Sequence, residues 1–428
     1  MNMDDLEYTL DEDAKKLNLK NKWPSKAKII IGILIAIIIL QIIGFILYII
    51  FKPSNEQKEN KNENNQENTD YDYSYFSIKY LNISYTDKTI INSFKKDGIH
   101  YNETMGEIND GKDYIKSNRN IYDLYIPYKS TQKKKEYNQI ILYIHGGGWT
   151  KGSKEELDSL CEINLIQGYI TANMGYTLIS AEYKEYNPSV FRILDEITAC
   201  IQSIKNILKK EGFNINKLEL AIGGASAGGH LSLLYAYSMK NSPIPIKFII
   251  DFVGPVTLDP EHFLKVKNQD EPLNNIDIND IENAKKDNKI EYLFENDTNS
   301  VIYMNYLYGN KYSDDELNEM IVNGRLDKNN EKYKKMFNVV INGYPIHFVK
   351  SNNIPAICVY GGRDQLIGID HYAYLKSINE EYGKKLYLIY SRFANHNVFQ
   401  IDGNPNINLI REIYAQINNF SKLYFTSY

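Results

Sequence analysis

Three textures follow one another along the chain. The first is a long apolar run at residues 29–51, IIIGILIAIIILQIIGFILYIIF, interrupted by one strongly polar side chain, Gln41, and carrying no charge. At ~1.5 Å per residue a helix of this run exceeds ~30 Å, the thickness of a hydrocarbon core. A cleaved signal peptide would be shorter and would end on a small-residue cleavage site. Here Lys52-Pro53-Ser54 follows instead, so the run reads as an uncleaved single-pass anchor. Six lysines precede it (Lys15, Lys16, Lys20, Lys22, Lys26, Lys28) and Lys52, Lys58 and Lys61 follow. That bias places residues 1–28 in the cytoplasm as a short charged tail, and the large C-terminal part outside.

The second texture, residues 52–72, is polar and aperiodic (PSNEQKENKNENNQENTDYD from Pro53 on). It cannot bury a core and reads as a disordered linker. The third, residues 73–428, alternates short β-rich runs with helical stretches. The predicted strands are 121–126 (IYDLYI), 139–144 (QIILYI), 177–183 (TLISAEY), 218–224 (LELAIGG), 247–254 (KFIIDFVG), 356–362 (AICVYGG) and 385–391 (KLYLIYS). Helical spacing marks 191–209 and 407–420. Strand–helix alternation predicts βαβ units and a mostly parallel sheet flanked by helices. Several strands are apolar on both faces, as a sheet covered on both sides requires. The alternation breaks once, at 258–345, where a long Asn-, Asp- and Lys-rich stretch reads as an insertion capping the site.

Composition narrows the function classes. The chain has 428 residues and a net charge of -5, without the basic excess of a nucleic-acid binder. Its three cysteines form no CxxC pair, which excludes a zinc ribbon or dithiol motif. They read as small buried hydrophobes. No metal or cofactor is implied.

Two glycine-rich turns carry the chemistry. Gly224-Ala225-Ser226-Ala227-Gly228 sits between a predicted strand and a predicted helix, the context of a G-x-S-x-G nucleophile elbow. His145-Gly146-Gly147-Gly148-Trp149 follows the strand at 139–144. Glycines there let backbone N–H groups approach a developing oxyanion. A phosphate loop is the competing reading, but neither G-x-G-x-x-G spacing nor a Lys-Ser/Thr pair is present.

A serine hydroxyl needs a base, and the base needs an orienting carboxylate. The order of the fold is serine, acid, histidine. Of the histidines beyond the insertion (His347, His371 and His396), His396 falls in the loop after the last predicted strand, where the base belongs. Asp364 follows the penultimate strand, with Asp370 as the fallback acid. His230, one helical turn after Ser226, reads as a packing or supporting residue.

Taken together, the strings YIHGGGWTKGSK (143–154), ISAEYK (179–184), GGASAGGHLSLL (223–234), FVGPVTL (252–258), VYGGRDQL (359–366) and FANHNVF (393–399) resemble one family. It is the hormone-sensitive-lipase-like and feruloyl-esterase-like carboxylesterase group of the α/β-hydrolases. The likeness spans about residues 115–420. It implies that Gly147, Gly148 and Ala227 donate the oxyanion amides and that His145 orients their loop. Departures include Tyr183-Lys184 where the family has Tyr-Arg after the fourth strand, Tyr344 before Pro345-Ile346, and a longer insertion.

The expected activity is hydrolysis of a carboxylic ester through an acyl-enzyme on Ser226. Kynurenine formamidases look similar, so aryl formamide cleavage is the alternative. A catalytically inactive interaction module is the third reading. An anchor beside the bilayer points to an acylated glycan or lipid ester, or a small-molecule ester, as substrate.

Overall fold

The structure, a computed structural model, describes residues 77–85, 117–127, 138–186, 188–294, 296–309 and 311–426. The apolar run at 29–51, the tail before it and the linker to residue 72 lie outside the described residues. Among the described residues no helix is long and apolar enough to cross a membrane.

The first half of the main sheet comprises β1 (Ser77–Ser84), β2 (Ile121–Pro127), β3 (Gln139–Ile144), β4 (Ile170–Met174), β5 (Glu219–Ala225) and β6 (Ile246–Phe252). Between them lie α1 (Asp158–Ile166), α2 (Val190–Lys210) and α3 (Ala227–Ser238). The insertion follows β6 and contains β7 (Leu264–Val266), α4 (Ile278–Lys286), β8 (Ile290–Tyr292), α5 (Thr298–Tyr308), α6 (Asp314–Asn318), β9 (Ile321–Val322), β10 (Arg325–Leu326) and α7 (Glu331–Val340). After it come α8 (Pro345–Val349), β11 (Ala356–Gly361), α9 (Asp370–Tyr382), β12 (Leu386–Ser391) and α10 (Ile407–Tyr424).

The eight-stranded sheet runs β1-β2-β4-β3-β5-β6-β11-β12. β1 and β2 pair antiparallel, as do β2 and β4. Every other neighbour is parallel. This is the α/β-hydrolase arrangement, a mostly parallel sheet flanked by helices. β3, β5 and β11 are buried on both faces, which accounts for their continuous apolar runs. Two of the helices that cover the sheet, α2 and α10, start on polar caps: Ser189 accepts from Arg192 N–H at 3.1 Å and Asn406 from Leu409 N–H at 3.4 Å.

One expected strand is corrected. Residues 177–183 form bends and the start of a 3-10 turn (Ala181–Tyr186), not a strand. The fourth strand is Ile170–Met174, ITANM, whose polar side chains hid it. Its fully buried Thr171 donates to Cys161 O at 3.2 Å, and its fully buried Asn173 to Lys154 O at 3.1 Å and Asp158 Oδ1 at 2.5 Å. The pair that follows the fourth strand is therefore Tyr176-Thr177, not Tyr183-Lys184. β1, SIKYLNIS, is a further strand that periodicity did not mark.

The insertion is built of two parts. Leu264, Val266, Ile276, Ile281, Ala284 and Ile290 pack a small core of their own with Ile369 and Ala373 of the α9 region. Val301, Met304, Leu307, Met336 and Val340 join the main core instead. Cys161, Cys200 and Cys358 are free and buried.

Candidate active site

β5 delivers Ser226 at the corner where the chain turns into α3. Its backbone has φ 56 and ψ -118, a conformation that costs a non-glycine residue energy. The corner is held from outside: Ser226 N–H donates to Phe252 O of β6 at 2.7 Å. It is also tight. A Cβ on Gly228 would stand 1.9 Å from Ile144 O, and one on Gly224 2.4 Å from the same oxygen. Only glycine lets α3 press onto the end of β3.

That contact brings the HGGGW turn beside the serine. A Cβ on Gly146 would lie 2.8 Å from Ala225 O and 3.4 Å from Ser226 Cβ. Gly147 (φ 98), Gly148 (φ 58) and Trp149 (φ 60) then run through the left-handed region. Among the described residues, no hydrogen bond occupies the amides of Gly147, Gly148 or Ala227. Ala227 follows Ser226 directly, and Gly147 and Gly148 follow the Gly146 that packs against it.

The turn is braced from below. His145 is fully buried, its Nδ1–H donates to Gly146 O at 2.8 Å, and its ring stacks on Tyr176 at 4.1 Å and 9°. Burial pulls its imidazole down to about 4, so it is neutral at ordinary pH. The Tyr176 hydroxyl lies 3.1 Å from Gly146 O and 3.2 Å from His145 O, its one hydrogen directed between these nearly equidistant carbonyls. Arg119 Nη2 donates to Gly152 O at the far end of the turn. Tyr176 is a supporting residue that no motif in the sequence marks, since it stands just after a strand whose polar residues conceal it.

On the other side of β6, β11 and β12 end next to each other and carry the remaining pair. Asp364 is 2 % exposed; its Oδ1 accepts the N–H groups of Leu366 (2.7 Å) and Ile367 (2.9 Å). Its Oδ2 accepts from His396 Nδ1–H at 2.9 Å. The His396 side chain is 26 % exposed, so Nε2 stays accessible. A Cβ on Gly361 would meet Asn395 O at 2.5 Å and Ala394 O at 2.6 Å, so the loop before His396 rests on the end of β11. Arg363 N–H ties it down through Ala394 O at 2.9 Å.

The competing residues sit elsewhere. Asp370 opens α9 and accepts from Leu264 N–H at 3.1 Å. His371 is fully buried, its Nδ1 taken by Val256 N–H at 3.1 Å. His347 stacks on Tyr344. His230 donates through Nε2 to Gly343 O at 2.8 Å and meets Trp149 edge-on at 5.2 Å, so it joins the elbow helix to both the glycine turn and the end of the insertion. An open cleft of about 490 Å³ lies on the insertion, lined in part by Leu264, Lys267, Tyr292 and Arg325, and none of Ser226, Asp364, His396 and the glycine turn lines it. Among the described residues no cluster of His, Cys, Asp or Glu has the geometry of a metal site.

The BD-FAE family model matches residues 122–378. Among solved structures the chain is similar to a truncated carbohydrate esterase from gut microbiota, at 14% identity and TM-score 0.48, covering 81% of this chain and 96% of that one. It is also similar to esterase B from Lactobacillus rhamnosis, at 14% identity and TM-score 0.46, covering 78% and 95%. A third similar structure is a thermophilic esterase from Thermogutta terrifontis, at 16% identity and TM-score 0.46, covering 72% and 90%. A segment of 124 residues, 28% of the chain, is 27% identical to the non-reducing polyketide synthase atr1 of Stereocaulon alpinum and spans 5% of that much longer protein.

Proposed function

This chain belongs to the BD-FAE family of α/β-hydrolase esterases, and on that premise we propose that it cleaves a carboxylic ester through an acyl-enzyme formed on Ser226. His396 Nε2 takes the Ser226 proton as Oγ attacks the carbonyl carbon. The same nitrogen then gives that proton to the departing alcohol oxygen. Water repeats the sequence, releasing the acid and restoring the serine. Asp364 holds the His396 ring with Nδ1 protonated and Nε2 open. The amides of Gly147, Gly148 and Ala227 receive the oxyanion.

The observation that carries this reading is the 2.9 Å bond between His396 Nδ1 and Asp364 Oδ2. It is made at the sheet edge where β5 also ends in the strained Ser226. Ser226→Ala tests it: turnover of p-nitrophenyl acetate and labelling by a fluorophosphonate should both disappear. A variant that keeps wild-type turnover overturns the assignment. Offering an aryl formamide beside the ester in the same assay separates the two bond types that this machinery serves.

The insertion at 258–345 acts as a cap over this site. Its last residues support that role, since Gly343 O binds His230 one turn beyond the serine. Residues 29–51 anchor the protein as a single span with the N-terminus cytoplasmic, and the linker to residue 72 carries the catalytic domain, residues 73–428, outside the membrane. The substrate is then an ester at the envelope, such as an acylated glycan or lipid. The length of 29–51 and its lack of charge support this placement.

A further inference from the structure

Beneath the elbow, one hydrogen has two claimants. Asp251 of β6 lies level with Gly224 of β5 and Cys358 of β11, and it is fully buried. Its Oδ1 accepts from Gly254 N–H at 2.8 Å. The Tyr360 hydroxyl stands 2.9 Å from Asp251 Oδ2 and 2.6 Å from Gly254 O. A phenol has one hydrogen. A peptide carbonyl only accepts, so Gly254 O, the nearer partner, takes it. Asp251 Oδ2 must then bring a hydrogen of its own to the tyrosine oxygen. A closed ring results: Gly254 N–H to Asp251 Oδ1, Asp251 Oδ2–H to Tyr360 Oη, Tyr360 O–H to Gly254 O. Only the neutral carboxylic acid satisfies every member.

The surroundings agree. Titratable groups reach this carboxyl from α3 (Tyr237) and from β11 (Cys358 and Tyr360), with Asp364 beyond Tyr360. None of these is a cation, and no ion pair to Asp251 exists among the described residues. Burial pushes its carboxyl up to about 7. Two glycines make room for it: a Cβ on Gly229 would lie 2.2 Å from Oδ1, and one on Gly254 2.4 Å.

The ring clamps a turn under load. Val253, between Phe252 and Gly254, has φ 51, a position that a β-branched side chain resists. Phe252 O is the acceptor that holds the Ser226 amide. We propose that Asp251 is a positioning residue for Ser226 that works as the neutral acid. When it ionises, Oδ2 draws the Tyr360 hydrogen off Gly254 O, and the turn that aims Phe252 O at Ser226 loses its brace. The inference rests on Ser226 being the nucleophile.

Asp251→Asn keeps the ring with an amide donor that does not titrate. In the full chain with p-nitrophenyl acetate, wild-type kcat should fall by about tenfold as the pH rises beyond about 7, with KM unchanged. Asp251→Asn should match the wild type on the acid side within about twofold and lack that fall. A folded Asp251→Asn that retains the alkaline limb overturns the proposal. If that variant does not fold, Tyr360→Phe replaces it. Without the hydroxyl, Gly254 O has no donor at any pH, so kcat should already be lowered on the acid side and the alkaline fall should vanish; a limb that persists overturns the proposal. Infrared spectra of Ser226→Ala, with and without Asp251→Asn, read the carboxylic acid carbonyl band directly, so the protonation claim is tested even if the nucleophile assignment fails.

Discussion

The ring of Phe252 packs edge-on against that of Phe399, with centroids 5.1 Å apart and planes at 63°. Phe252 is also the residue whose carbonyl receives the Ser226 amide, and Phe399 lies three residues after His396. One side chain and its own backbone therefore touch both halves of the site.

Phe399→Ala removes the far half of this contact. An aromatic pair of this kind contributes ~1 kcal/mol beyond the area it buries. The loop that carries His396 should loosen, lowering kcat about tenfold while KM changes little. Steady-state kinetics with a small ester check this, and the circular dichroism spectrum should be unchanged. An unaltered kcat would mean that Gly361 and Arg363 alone fix the loop.

Tyr176→Phe keeps the ring stacked on His145 and deletes only the hydroxyl that serves Gly146 O and His145 O. Loss of a buried hydrogen bond costs about 1 kcal/mol of stability. Misplaced glycine amides should also cost kcat about tenfold, because their bond to the oxyanion forms only in the transition state. Urea midpoints and kcat separate the two effects. A loss of stability with kcat intact would confine Tyr176 to folding.

Asp370→Asn makes the sign of a buried carboxyl measurable. Burial pushes the Asp370 carboxyl up to about 7, above its unfolded value of about 4. Its neutral form stabilises the fold fully below the unfolded value, and that contribution is lost as the pH rises through the folded one. The asparagine lacks this dependence. The stability of the wild type minus that of the variant should therefore shrink between pH ~4 and ~7, by on the order of 3 kcal/mol. His145 and His230, both pulled down to about 4 by burial, act with the opposite sign but are common to both proteins and cancel. Urea unfolding across this range tests it, and a difference independent of pH would mean that Asp370 is charged throughout.

The glycine turns were legible in the sequence because their signal is local. Gly224, Gly228 and Gly146 must be glycine where backbones meet, and the chain order of the fold then singles out Asp364 and His396. β4 was not legible, because the Thr171 hydroxyl and the Asn173 amide nitrogen donate to α1 and the turn before it, so polar side chains could be buried there in place of apolar ones. Tyr176 and Asp251 were hidden for another reason: their partners lie 30 and 109 positions away in the sequence, and no periodicity reports such a bond. The apolar run at 29–51 is the plainest pattern in the chain, yet it lies outside the described residues.

The insertion leaves after β6 and returns before β11, and these strands are immediate neighbours in the sheet. Departure and re-entry therefore share one doorway. The part of the insertion with its own small core can lengthen or shorten while every strand keeps its partner; the part that joins the main core is held to it. The order of the strands that carry Ser226, Asp364 and His396 is thereby independent of how long the insertion is.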